Sequence, residues 1–142
     1  MKKSWKPALS LTVTALWLCF IYARSAQNAA VSHEESVSVL TLLLRLAPFL
    51  TLHMVRKLAH FTEFFILGCL LWLDWRLLER GKVLLPLGAG LLFAAGDELL
   101  QTFIPGRSGE LADVLLDFCG VAAAVGLGCL LRRGREKRAH DR

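Results

Sequence analysis

The sequence has no closely spaced pair of cysteines. Cys19, Cys69, Cys119 and Cys129 lie far apart, each inside an apolar run. That spacing excludes a cysteine zinc site and leaves the thiols to act as small hydrophobes facing lipid or neighbouring helices. There is no internal repeat and no low-complexity tract, so solenoid and array architectures are excluded. A His-Glu-x-x-His metalloprotease motif is missing too. The net charge is +5 with a pI near 9.3, but the basic residues come in short blocks between apolar runs. Blocks of that kind fit membrane topology better than a nucleic-acid surface.

What is present is hydrophobicity. Of 142 residues, 55% are hydrophobic, and the mean hydropathy is +0.50. A soluble domain usually holds about 45–50% apolar residues with less clustering. The pattern predicts an all-α fold: a polytopic membrane helical bundle of four transmembrane helices plus one interfacial helix. A span needs ~20 largely apolar residues. Residues 8–23, 58–75, 83–104 and 111–131 are the expected spans, within a single membrane domain covering 1–131. Arg24 spoils a small-x-small cleavage site after the first run, so that run is expected to be a retained span rather than a signal peptide.

Between the first two spans, Ser32 and Glu35 have the spacing of a capping box. They precede a short helix over 36–47 that Arg45 interrupts and Pro48 ends. It is too short to span and is expected to lie in the interface. Residues 132–142 form a basic tail, expected to be disordered and cytoplasmic. Lys2, Lys3 and Lys6, the loop residues Arg76, Arg80 and Lys82, and the tail all fall on one side of a four-span topology. The positive-inside rule makes that side cytoplasmic, with both termini inside. Asp74, Arg76, Glu79 and Arg80 then read as a solvated loop.

This topology gathers polar residues at one level near the outer face. The second expected span carries Lys57, His60 and Glu63 there, the third Asp97, Glu98 and Gln101, and the fourth Glu110, Asp113 and Asp117. At about 100° per residue, Gly90, Ala94, Asp97, Glu98 and Gln101 fall on one face. Asp113, Asp117, Gly120, Ala124 and Gly128 share a narrow stripe on the next helix. Each stripe is small deep in the membrane, allowing close approach, and acidic at its outer end. Intramembrane ionisable groups are a functional default because they are costly to insert. The bland alternative makes Ser108 an N-cap, Glu110 and Asp113 partners of a helix dipole, and Arg107 a bundle clip to Glu98 or Asp113. His33, His53 and His140 read as surface or interfacial residues.

The motifs resemble a known family. Lys57-x-x-His60-Phe61-x-Glu63-Phe64, Asp97-Glu98-x-x-Gln101-x-Phe103-x-Pro105-Gly106-Arg107 and Asp113-Val114-x-x-Asp117-x-x-Gly120 are similar, in order and spacing, to three signatures of VanZ-like membrane proteins, over residues 55–130. Asn is common in that family where Asp117 stands here. The resemblance implies a compact helical membrane fold and a link to glycopeptide resistance, teicoplanin in particular. It implies no reaction.

Three function classes follow from the residues. The first is an enzyme acting on a lipid-linked or anionic envelope substrate. In it His60, Glu63, Asp97, Glu98 and Asp113 are the candidate catalytic groups, with Glu98 as base and His60 as acid or base. Lys57, Gln101, Arg107 and Asp117 would bind, Arg107 as the anion clamp. A divalent metal is a variant of this reading, with His60, Glu63, Asp97, Glu98, Asp113 and Asp117 as nitrogen and oxygen ligands. The second class is a non-catalytic binder of a lipoglycopeptide, a lipid headgroup or a partner protein. The third is transport, disfavoured because no polar ladder reaches the cytoplasmic side and four spans would have to oligomerise. The expected partners are the lipid bilayer and an envelope precursor or lipoglycopeptide, with a homo-oligomer left open and no nucleic acid.

Overall fold

A computed structural model describes residues 5–43, 49–78 and 82–140. Among them are five helices and no strand: α1 (Lys6–Ser25), α2 (Ala29–Leu43), α3 (Leu52–Leu77), α4 (Leu84–Gln101) and α5 (Leu111–His140). Both helix-interior prolines that the sequence allows are placed where their missing N–H costs nothing. Pro7 and Pro86 lie in the first turns of α1 and α4, where that donor has no intrahelical partner. Three helices are long and apolar enough to cross a membrane: α1, α3, and α5 over Leu111–Ala139. Helix α4, at 18 residues, is not among those three.

Side-chain contacts fix how the helices run. Ser10 and Thr14, early in α1, bond Asp74 near the end of α3, whereas Arg24, late in α1, meets Glu63 in the middle of α3. These helices are therefore antiparallel. Tyr22 donates to the Phe93 carbonyl and Ser25 to Asp97, so α1 and α4 run the same way. Lys57 meets Asp113 and His60 meets Asp117, so α3 and α5 are also parallel to each other. Phe64, Leu67, Ile21, Ala94, Val121 and Val125 fill the centre.

The parallel pair is held close by small residues. A Cβ added to Gly120 would lie 2.6 Å from the Phe61 carbonyl oxygen, one added to Gly68 2.8 Å from the Val121 backbone, and one added to Gly128 2.5 Å from the Trp72 ring. These distances are below any van der Waals contact. The stripe read from the sequence therefore faces α3 along its length, with Asp117, Gly120, Ala124 and Gly128 all buried.

Several expectations need correction. Helix α3 begins six residues earlier than the expected span, because Thr51 caps it: its hydroxyl accepts from the Met54 N–H at 3.3 Å. Helix α2 begins at Ala29, so Ser32 lies inside the helix and not at its start. Helix α4 stops at Gln101, and Phe103 and Ile104 belong to the following turn. Helix α5 starts after Glu110, so Ser108 is not its N-cap. The basic tail is helical to His140; Arg132 pairs with Glu136 one turn on, at 2.7 Å, and no proline interrupts it. Asp74 is no loop residue either: it is buried in α3. The Pro48 end of the interfacial helix, Arg45, Glu79 to Gly81, Lys2, Lys3 and Arg142 lie outside the described residues.

The close approach gives a stability test. Gly120→Ala should lower the thermal midpoint in detergent micelles, because its Cβ meets backbone, and overpacking of this kind costs about 1–3 kcal/mol. Gly126→Ala, with nothing within 4 Å of the new Cβ, should be neutral or raise it, since Ala exceeds Gly in helix propensity by about 1 kcal/mol. Circular dichroism melts of both variants check this.

Candidate functional site

The site forms where α3 and α5 begin and α4 ends. The N-termini of α3 and α5 and the C-termini of α4 and α1 meet there, so positive and negative dipole ends are balanced. Ile104, Pro105, Gly106 and Arg107 make the tight turn after α4. Arg107 N–H bonds the Ile104 carbonyl at 3.1 Å, and Gly106 sits at φ 77°, in the left-handed region that favours glycine.

Four side chains from three helices converge below this turn. One ligand-type atom from each of His60, Asp97, Glu98 and Asp117 lies within 4.8 Å of the others. His60 Nδ1 is 3.7 Å from Asp117 Oδ2, beyond hydrogen-bond reach. Gln101, one turn after Asp97, holds two of the acids in place: its Nε2 donates to Asp97 Oδ2 at 3.0 Å and to Glu98 Oε1 at 3.1 Å. Ser25 from α1 donates to the same Asp97 Oδ2 at 2.8 Å. The Glu110 N–H closes the set, reaching Glu98 Oε2 at 3.0 Å.

Above the acids lies a cleft of about 140 Å³ whose wall includes His53, Arg56, Lys57, His60, Gln101, Arg107 and Asp113. Lys57 Nζ and Asp113 Oδ1 are 2.6 Å apart, each side chain about one third exposed. Arg107 Nη1 donates to the Ser25 carbonyl at 2.9 Å, so it does clip the bundle, through the end of α1. Burial draws the Arg107 pKa below its ordinary value, and the charge of Arg56 adds to this, while Asp97 and Glu98 work the other way. Arginine stays charged regardless. On the far side of His60 is a second pocket, about 20 Å³, bounded by Arg24, Arg56, Glu63 and others.

Most of the residues singled out in the sequence meet here, and one does not. His60, Asp97, Glu98 and Asp117 form the cluster, Gln101 braces it, and Lys57, Asp113 and Arg107 stand on the cleft wall. Glu63 points to α1, where Arg24 Nε lies 3.1 Å from its Oε1. One turn after His60 it is about 60° further round the helix, enough to leave the cluster.

Three residues escaped the sequence reading. His53 and Arg56 precede Lys57 and His60 by spacings of three, four and seven, which place all four on one helical face. Recognising Thr51 as an N-cap would have put them on that helix. Ser25 ends a buried stripe of α1, Ser10, Thr14, Ile21 and Ser25, whose polar members, four and eleven residues apart, share one helical face and were the available signal.

Comparison with known proteins settles the family. The VanZ/LLP1 family model matches residues 10–132. The chain belongs to the VanZ/LLP1 family. The match is wider than the three motifs, and it takes in all of α2 and almost all of α1. In this VanZ/LLP1 protein the site therefore includes a residue of α1, Ser25, that lies inside the matched region. Neither the curated proteins nor the solved structures gave a match. Together with the three apolar helices, the family identifies a membrane protein.

The bracing makes a graded prediction. Ser25→Ala removes one donor from a buried carboxylate and should cost about 1–3 kcal/mol. Lys57→Ala breaks a pair that water screens and should cost less than about 1 kcal/mol. Unfolding of both variants in the same detergent, followed by circular dichroism, gives the comparison.

Proposed function

We propose that this VanZ/LLP1 protein takes the anionic headgroup of a lipid-linked envelope precursor into the cleft, from the outer side of the cytoplasmic membrane. The single observation behind this reading is the stacking of charge. Arg56, Lys57 and Arg107 line the cleft together with Asp113 and Glu110, and His60 joins that lining to the acid cluster. A negatively charged group entering from the surface meets cations first, with the positive ends of α3 and α5 behind them. Proton-handling groups then stand directly beneath it.

A topology of four spans, α1, α3, α4 and α5, supports the outward orientation. The contacts make these helices alternate in direction, and α4 has a rise of about 27 Å at 1.5 Å per residue, close to the ~30 Å of a hydrocarbon core. Lys6, Arg76, Lys82 and the basic end of α5 then lie opposite the cleft. By the positive-inside rule they are cytoplasmic, as are both termini. In this topology helix α2, which packs on α3, would lie at the outer interface.

The size of the cleft favours a headgroup over a whole antibiotic. Pockets that enclose drug-sized ligands run to about 300–1,000 Å³, well above the 140 Å³ found. A role in glycopeptide tolerance, teicoplanin included, would then operate through the precursor and not by enclosing the drug. Binding without turnover is the second reading. It is favoured by one observation: both oxygens of Glu98 are occupied by fixed donors, which suits a structural acid better than a free base.

The test is susceptibility of a sensitive bacterial host to teicoplanin and vancomycin, with membrane levels matched by immunoblot. Wild type should protect, and Arg56→Ala and Lys57→Ala should abolish most of the protection. Arg56 is exposed on the cleft wall, so its loss disturbs the fold little. No protection by well-expressed wild type would count against the glycopeptide role. Full protection by both variants would count against the anion cleft.

A further inference from the structure

The acid cluster has an electrostatic deficit that the surrounding protein does not meet. Asp97 and Asp117 are completely buried and Glu98 is 4% exposed. Three carboxyl groups this close cannot all ionise without a compensating cation. The hydrogen-bond census shows where compensation is missing. Among the described residues, every buried side-chain oxygen without a hydrogen-bond partner belongs to this cluster: Oδ1 of Asp97 and both oxygens of Asp117. His60 Nδ1 is a fourth buried atom without one. These four atoms are all of the kind that ligate metals, and they come from three different helices.

The remaining polar atoms of the cluster behave like an outer shell. Asp97 presents Oδ1 because its Oδ2 is held by Ser25 and Gln101. Glu98 is oriented from both sides by Gln101 and the Glu110 N–H. Groups that fix ligand orientation in this way typically accompany metal ligands. A fully satisfied hydrogen-bond network would have left no such row of bare acceptors.

We propose that His60, Asp97, Glu98 and Asp117 bind one divalent cation, which sits one side chain beneath the cleft. Glu63 and Asp113 take no part: Glu63 faces Arg24 and Asp113 faces Lys57. Metal–ligand bonds of about 2.0–2.2 Å place adjacent ligand atoms about 2.8–3.6 Å apart and opposed ones about 4.0–4.4 Å, so the present spread of up to 4.8 Å closes by roughly 0.5–1.5 Å on binding. One imidazole among carboxylates selects a borderline ion, Mn²⁺ or Zn²⁺, over Mg²⁺ or Ca²⁺. His60 and Gln101 also line the cleft, so an anion held by Arg56 and Lys57 comes within reach of the cation. The inference needs only the cluster and does not rest on the substrate proposed above.

The experiment is metal titration of full-length protein, chelator-stripped in detergent, by isothermal calorimetry with Mn²⁺, Zn²⁺, Mg²⁺ and Ca²⁺ in separate arms. Elemental analysis after desalting gives stoichiometry. One equivalent of Mn²⁺ or Zn²⁺ should bind. Asp117→Asn and Asp97→Asn should each weaken it at least 100-fold, and Gln101→Ala by 10- to 100-fold. Asp74→Asn, at the far end of the bundle, should bind as wild type does. Should either carboxylate variant fail to fold, His60→Ala and the metal-dependent rise in the wild-type thermal midpoint carry the test. No stoichiometric cation in the wild type, or binding unchanged by the cluster variants, overturns the site and leaves shared protons as the source of its neutrality. Tighter binding of Mg²⁺ or Ca²⁺ removes His60 from the ligand set and overturns the proposal in this form. Stoichiometric metal with no effect of the protein on antibiotic susceptibility would sink the proposed function and leave the cation site standing.

Discussion

Helices α3 and α5 run in the same direction, and two parallel helices cannot be joined by a short turn. The chain must cross back between them, and α4 is that return. Everything at the site depends on how closely the parallel pair can approach. Gly68, Gly120, Ala124 and Gly128 remove the side chains that would hold the backbones apart. Their register places Asp113 beside Lys57 and Asp117 beside His60. A one-residue slip would rotate both acids by about 100°, away from α3. The small residues are thus positioning devices for chemistry that lies several turns from them.

The return helix supplies the other half. Its last two turns carry Asp97, Glu98 and Gln101, all buried, and the turn that follows brings Arg107 back over them to the end of α1. Helix α1 answers with hydroxyls at both ends: Ser25 for Asp97, and Ser10 and Thr14 for Asp74. In a membrane, hydroxyl groups on a neighbouring helix satisfy polar atoms that lipid cannot. The bundle therefore holds two buried acidic points on opposite sides of its hydrophobic centre, and α1 serves both. The one that includes Asp97 adjoins the cleft lined by His60 and Gln101.

Periodicity made the central pair of helices legible. The stripes Gly90, Ala94, Asp97, Gln101 and Asp113, Asp117, Gly120, Ala124, Gly128 could be read at 100° per residue, because a buried face in a helix has no other way to appear in sequence. The ends were harder. Thr51 caps α3 with one hydroxyl, a local signal easily lost beside His53, Arg56 and Lys57, whose charges suggested a loop. The early start of α2 and the helical run of residues 132–140 had no apolar stripe to mark them. The part of α1 was harder to read for a different reason: its serines and threonine share one face, but in an apolar run that face carries no chemistry until the acidic partners, sixty or more residues away, are known. Glu63 was grouped with His60 because the two lie about 60° apart on one helix face, and that rotation turns Glu63 toward Arg24 of α1 instead.

Helix α5 continues without a break from Leu111 to His140, about 45 Å at 1.5 Å per residue. Its first turns hold Asp113 and Asp117, and its last turns hold Arg132, Arg133, Arg135, Lys137 and Arg138. An α-helix resists compression along its axis, so the two ends move as one shaft. Whatever grips the basic end, an anionic lipid surface included, acts on the depth and rotation of two site carboxylates on the other side of the bundle.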